Sequence, residues 1–188
     1  KFLFKHITFY LFLLFFAPLT LAKNIANVEM PDIMEISGQP LVLNGVGLRK
    51  KFVIKLYAAG LYLKNKSKDA NAVINADDPM VVRMHFLYQV SGNQLVSAWN
   101  ESFESNLETN RKATLQNQIG MFNDLFSYEA KKDDIYEVIY EPGKGIHVKF
   151  NGEVLGTVPG LDFKKAVFSI WFSMYNSDPY LKKAMMDL

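Results

Sequence analysis

The chain has 188 residues, no cysteine and a formal charge of +2. Without thiols there is no disulfide framework, no thiolate nucleophile and no thiolate metal site. Lys1 and Lys5 account for the whole positive excess, so segment 23–188 is formally neutral and lacks the overall basic surplus of a nucleic-acid-binding protein.

Residues 1–22 read as a secretory signal and residues 23–188 as one domain. Lys1 and Lys5 flank the start of an apolar run, Ile7 to Phe16 broken only by Thr8, and Thr20-Leu21-Ala22 offers the small residues that signal peptidase needs. A transmembrane anchor is the alternative, but Pro18 interrupts a run already short of the ~20 residues that span a bilayer. No cysteine lies near the cleavage point to carry a lipid. The expected location is the periplasm.

Asn24 to Gly38 is a lead-in with one short extended piece, punctuated by Pro31 and Ser37-Gly38. Pro40 opens Leu41 to Leu43, and Asn44-Gly45 is a two-residue turn signal. Lys51 to Leu63 is β-branched, aromatic and aliphatic, which predicts a long strand. Strict alternation puts Val53, Lys55, Tyr57, Ala59, Leu61 and Leu63 on one face, with Arg49 in the same parity unless a bulge intervenes. A short helix is expected over Asp69 to Asn75, then a break at Asp77-Asp78-Pro79. Met80 to Tyr88 alternates, with Arg83 and His85 on the wetter side. Two amphipathic helices follow, one from about Gln94 with Leu95, Trp99, Phe103 and Leu107 on its apolar face, the other over Thr114 to Phe126. Asp134 to Glu141, Gly145 to Phe150 and Glu153 to Val158 form a predicted three-strand meander joined by Pro142-Gly143-Lys144-Gly145 and Asn151-Gly152. Asp162 is placed at the cap of a helix reaching Phe172, and Asp178-Pro179 begins a last one. Strands and helices in blocks, rather than in strict alternation, predict an α+β fold with an antiparallel sheet.

The candidate site is Arg49 with Tyr57. A guanidinium and a phenol inside an apolar stretch must either stay in water or bind something, because buried charge is costly unless paired. Arginine presents five donors in a planar fork, suited to a carboxylate at the end of an apolar pocket, and Tyr57 can add a phenolic donor. A merely solvated basic turn with Lys50 and Lys51 is the other reading. Lys55 is a candidate supplement to the charge, while Trp99 and Phe103 are candidate ligand walls as well as ordinary core. Phe168 and Trp171 are placed at one end of such a cleft. His85 and His147 lie at no metal-ligand spacing, and no catalytic residue, metal or cofactor is assigned.

Three ordered blocks carry a family resemblance: LNGVGLRKKFVIKLYAAGLYL, DIYEVIYEPGKGIHVKFNGEVLGTVPGLDFKKAVFSIWF and SDPYLKKAMM. The chain resembles the bacterial exported chalcone isomerase-like proteins. That resemblance implies an open-faced β-sandwich, a large antiparallel sheet covered on one face by helices with a ligand cleft between the layers. It puts Arg49 in the place of the arginine that steadies enolate charge in the plant enzymes, and Tyr57 where those enzymes have a water-ordering threonine. It also implies that Arg49 and Tyr57 look like the arginine–tyrosine pair that holds a carboxylate in fatty-acid-binding members of the fold. Aligning Gly92-Asn93-Gln94 with the enzymes' Gly-x-Gln puts Leu95 and Ser102 where the catalytic tyrosine and asparagine belong.

Three functions are therefore weighed. The first is a non-catalytic periplasmic protein binding a fatty acid or similar amphipathic carboxylate. The second is an isomerase or lyase acting on an unsaturated carbonyl compound. The third is a structural or assembly factor without a small ligand.

Overall fold

A computed structural model describes residues 22–176 and 178–188. Apart from Ala22, the expected signal lies outside them. The fold is α+β, as expected from the blocks of strands and helices. In chain order the elements are β1 (Ala22–Ile25), β2 (Val28–Pro31), β3 (Ile33–Ile36), β4 (Gln39–Lys51), β5 (Ile54–Leu63), α1 (Ala70–Asn75), β6 (Met80–Phe86), α2 (Gly92–Asn106), α3 (Thr109–Thr114), α4 (Gln116–Asp124), β7 (Ile135–Glu141), β8 (Gly145–Phe150), β9 (Glu153–Val158), α5 (Leu161–Phe172) and α6 (Pro179–Met185). Strands β3 to β9 form one antiparallel sheet in sequential order. The sheet is curled: the Ser37 hydroxyl, just after β3, donates to Glu141 at the end of β7 over 2.5 Å. Four inter-strand steps of about 4.8 Å would hold those strands roughly 19 Å apart in a flat sheet.

The helices cover one face. Alternate residues of the central strands, Ala59, Leu61 and Leu63 of β5 and Met80, Val82, Met84 and Phe86 of β6, point into a core shared with Leu95, Trp99 and Phe103 of α2, Phe122 of α4 and the apolar residues of α5. On the opposite face Ala58, Tyr62, Val81 and Ile139 pack under the β1–β2 hairpin through Val28 and Met30. The lead-in thus holds three strands where one was expected, because its hairpin is needed to close this second core. Arg83 also faces this side, where it is salt-bridged to Glu137.

Asn44-Gly45 is not a turn. Both residues lie inside β4, and the register skips from Leu43↔Tyr62 to Gly45↔Leu61, leaving Asn44 as a bulge. Its buried side chain donates to the carbonyls of Ser67 at 3.0 Å and Met185 at 2.9 Å and accepts from the Ser67 N–H at 2.8 Å. At Gly45 an added Cβ would overlap the Ala184 carbonyl oxygen and sit 2.6 Å from that of Met185. Only glycine lets the last turn of α6 lie directly on β4. The real hairpin turn is Phe52-Val53, so the long strand expected from Lys51 begins at Ile54.

Two helix ends depart from simple expectation. Helix α5 begins after Gly160, whose φ is +110°, and Asp162 sits in its first turn without capping it. Helix α1 ends on a buried ammonium: Lys164 of α5 donates to the carbonyls of Val73, Ile74 and Ala76 at 2.8, 2.9 and 2.7 Å. That satisfies acceptors which a helix C-terminus leaves open. Burial, with Lys165 adding to it, pushes the Lys164 ammonium down to about 8, while Asp77 and Asp78 oppose the shift.

Candidate functional site

Where the helix layer stands off the sheet, a cleft of about 530 Å³ opens between the β4–β5 hairpin, β6, α2, α5 and the start of α6. That volume is in the range of small-molecule pockets, ~300–1,000 Å³. Its inner wall is apolar: Met84 and Phe86 from β6, Leu95 and Trp99 from α2, Phe126 after α4, and Ile170 and Trp171 from α5. Trp99 makes ring contacts with Trp171 at 5.4 Å, Phe122 at 5.3 Å and Phe126 at 5.0 Å. Polar side chains of α2, Gln94, Ser97, Glu101 and Ser102, form a second edge of the cleft. Lys51, Phe52 and Ile54 at the exposed hairpin tip also line it, which puts the mouth at that end of the sheet.

Arg49 and Tyr57 lie directly opposite each other on β4 and β5, and both line the cleft. Immediately beyond them the register shifts from Arg49↔Tyr57 to Lys50↔Lys55, so Leu56 is the extra residue of a bulge. The bulge reverses the alternation. Leu56 and Ile54 join Tyr57 in lining the cleft, and Lys55 turns outward into solvent, contrary to its expected place on the Tyr57 face. Phe103 also falls outside the cleft: one turn beyond Trp99 it is buried against Phe122 and Phe163, each 6.1 Å away. Phe168 likewise packs in the core, against Phe172 and Trp171, while Trp171 itself reaches the cleft.

The Arg49 side chain is 28% exposed, and its Nη1 lies 3.0 Å from Oδ2 of Asp178. The other Asp178 oxygen accepts from the Leu181 N–H at 3.0 Å and so caps α6, with Pro179 at the first helical position. Sequence reading found the cap but not the ion pair, which joins residues 129 apart in the chain. Asn176, beside it, lines the cleft and donates to the Trp171 carbonyl at 2.8 Å. Burial raises the pKa of Tyr57; the Arg49 charge and a hydrogen bond with the Trp171 indole oppose this, and Asp178 adds to it. The phenol therefore stays neutral and able to donate at ordinary pH.

This arrangement can take an apolar chain against the Met84–Trp99–Trp171 wall and an anion at the Arg49–Tyr57 edge. Leu95 and Ser102 both line the cleft. The positions aligned with the plant enzymes' tyrosine and asparagine thus carry an apolar side chain and a small hydroxyl. His85 and His147 pair with Asp133 and with Thr157 and Glu141. Among the described residues no group of three His, Cys, Asp or Glu is placed to hold a metal.

A family model described as chalcone isomerase-like matches residues 22–187. No curated protein matches the chain. Among solved structures, a fatty-acid binding protein of Arabidopsis thaliana has a TM-score of 0.70 at 18% identity, covering 89% of this chain and 95% of that one. At that identity the likeness is one of fold: the same curled sheet with its helices on one side.

Proposed function

The chain belongs to the chalcone isomerase-like family, and from that footing we propose that it is a binding protein for an amphipathic carboxylate such as a fatty acid. One observation carries the reading: an apolar cleft of about 530 Å³ with a guanidinium and a neutral phenol paired across two strands at its edge. Apolar burial supplies affinity in proportion to area, ~25 cal/mol per Å², and has no preferred direction. The Arg49 fork and the Tyr57 hydroxyl give it one by fixing the head group. The choice of a fatty acid among amphipathic carboxylates leans on the fatty-acid binding of the Arabidopsis protein. Leu95 and Ser102 in the cleft favour holding over turnover. In this reading the protein works in the periplasm, after loss of the leader 1–22.

The test is to purify the protein without detergent, extract it with organic solvent, identify acyl species by mass spectrometry, and titrate the delipidated protein. A long-chain fatty acid should bind, and Arg49→Gln should weaken it about tenfold, the value of a charged hydrogen bond of roughly 1.5 kcal/mol. Absence of extracted acyl species, together with equal binding by Arg49→Gln, would refute the reading.

A further inference from the structure

The tip of the β4–β5 hairpin breaks two rules at once. A two-residue β-turn favours Asn, Asp or Gly, yet Phe52-Val53 occupies it, and Phe52 adopts φ +54°, a left-handed conformation uncommon for a bulky residue. Both side chains are almost wholly in water, 92% and 93% exposed, and Ile54 is 41% exposed. Neither turn chemistry nor solvation accounts for these residues.

More apolar surface gathers at the same end. Tyr88, half exposed, follows β6 and donates its N–H to the Leu56 carbonyl at 3.3 Å, immediately behind the tip. Helix α6 runs antiparallel to β4, with Ala184 and Met185 at Gly45, Leu181 at Gly47 and Asp178 at Arg49. Its start and the segment before it therefore lie towards the tip, where Met174, Tyr175 and Tyr180 are exposed. Of twelve exposed large apolar residues among those described, four lie at or immediately behind the tip and three more on the start of α6 and the segment before it. Single exposed apolar residues are ordinary on a protein surface; a contiguous group marks an interaction site.

The charge around the tip selects the partner. Residues 48–57 contain Arg49, Lys50, Lys51 and Lys55 and no carboxylate, in a domain that is formally neutral. Lysine is depleted in protein–protein interfaces. A lysine collar behind protruding aliphatic and aromatic residues, with tyrosines beside it, is instead the composition of an interfacial membrane contact: apolar groups at the acyl boundary, tyrosines at head-group level, ammonium groups reaching the phosphates. We infer that the Phe52-Val53 tip docks peripherally on an anionic lipid bilayer, with Lys50, Lys51 and Lys55 on the lipid phosphates. Two residues beyond the last strand pair reach about 5 Å, the depth of interfacial insertion. No helix among the described residues is long and apolar enough to cross a membrane. Because Lys51, Phe52 and Ile54 also line the cleft, docking brings its mouth to the lipid surface, and an acyl ligand can pass between bilayer and cleft without entering bulk water.

Docking stands apart from the proposed cargo and is tested without it. The purified chain is floated with vesicles of phosphatidylcholine alone or with a quarter phosphatidylglycerol. It should float with the anionic vesicles, weakly with the neutral ones, and less as salt rises. Phe52→Gly with Val53→Ser, which suits a turn with positive φ at its first position, should keep or raise the Tm and lose tenfold or more in vesicle affinity. Lys50→Glu with Lys55→Glu, outside the cleft, should lose at least 25-fold, at about fivefold per lysine removed, and still bind fatty acid in solution. Flotation that ignores lipid charge and both variants overturns the inference even if the cleft binds fatty acid, as does a tip that retains a protein partner but no vesicles.

Discussion

Replacing Asp178 by asparagine should tighten the binding of a fatty acid and leave that of an uncharged analogue unchanged. Asp178 Oδ2 lies 3.0 Å from Arg49 Nη1, so a ligand carboxylate on the same guanidinium would stand about 5 Å from a like charge. Coulomb's law puts that repulsion at about 3 kcal/mol for an effective dielectric of ~20 and about 0.8 kcal/mol in water. The two side chains are 28% and 16% exposed, which places the pair between these limits, so the gain is about 1–3 kcal/mol, or at least roughly fivefold in Kd. The fold should survive because asparagine keeps the oxygen that accepts from the Leu181 N–H. Loss of a partly exposed ion pair lowers stability by about 1 kcal/mol or less, a few degrees in Tm for a domain of this size. Calorimetric titration with a long-chain fatty acid and with the fatty alcohol of equal chain length separates charge from packing. A carboxylate affinity that falls or does not move in Asp178→Asn, or an acid and an alcohol that tighten together, would refute a head group seated on Arg49.

Gly45→Ala should destabilise the protein by about 2 kcal/mol or more, the scale of core overpacking, since the new methyl meets the α6 backbone rather than a flexible side chain; an unchanged Tm would show that α6 does not rest on β4 as described. Lys164→Met should expose the titration of the buried ammonium. With its folded pKa lowered to about 8 from an ordinary value of 10.5, wild-type Lys164 sheds its proton before the unfolded chain does. Wild-type stability relative to the variant should then be flat below pH 8 and rise towards pH 10.5, by at most about 3 kcal/mol. Denaturant unfolding of both proteins across that window reads the difference, and a pH-independent gap would contradict the shift.

The strand from Met80 is legible because Arg83 and His85 alternate with buried residues, and the late meander because each turn carries the residues its backbone needs, Gly143, Gly145 and Gly152 among them. The β4–β5 pair was harder because its signals are transposed. Asn44-Gly45, the same turn dipeptide as Asn151-Gly152, serves a bulge that seats a distant helix, and the turn itself is made by Phe52-Val53. Arg49 and Tyr57 share the cleft side because they are cross-strand partners on β4 and β5; the turn and the bulge between them break the single run of alternation that the sequence suggests, and the bulge carries Lys55 off the Tyr57 face. Trp99 and Phe103 are four residues apart on one helix face, which periodicity reads as equivalent. Their different fates depend on where the helix layer leaves the sheet, and no local pattern records that. The Arg49–Asp178 pair is hidden for the same reason: Asp178 before Pro179 already reads as a helix cap, and nothing nearby names a second partner for it.

That second partner explains how one aspartate can serve both the fold and the proposed ligand. Oδ1 of Asp178 holds the Leu181 N–H and Oδ2 meets Arg49, so the two duties fall on different atoms. Helix α6 is fixed independently at its other end, where Gly45 admits its last turn and Asn44 donates to the Met185 carbonyl. A carboxylate that arrives on Arg49 and displaces Oδ2 therefore exchanges one anion for another while leaving the cap and the far anchor of α6 in place. A guanidinium at the edge of an apolar cleft requires a compensating anion with or without a ligand; Asp178 provides it in the empty protein, and the partial exposure of both groups keeps the exchange within about 1 kcal/mol. The same exchange requires selectivity for anions over neutral amphiphiles to be modest in the wild-type chain and largest in Asp178→Asn, an ordering that a purely structural ion pair would not produce.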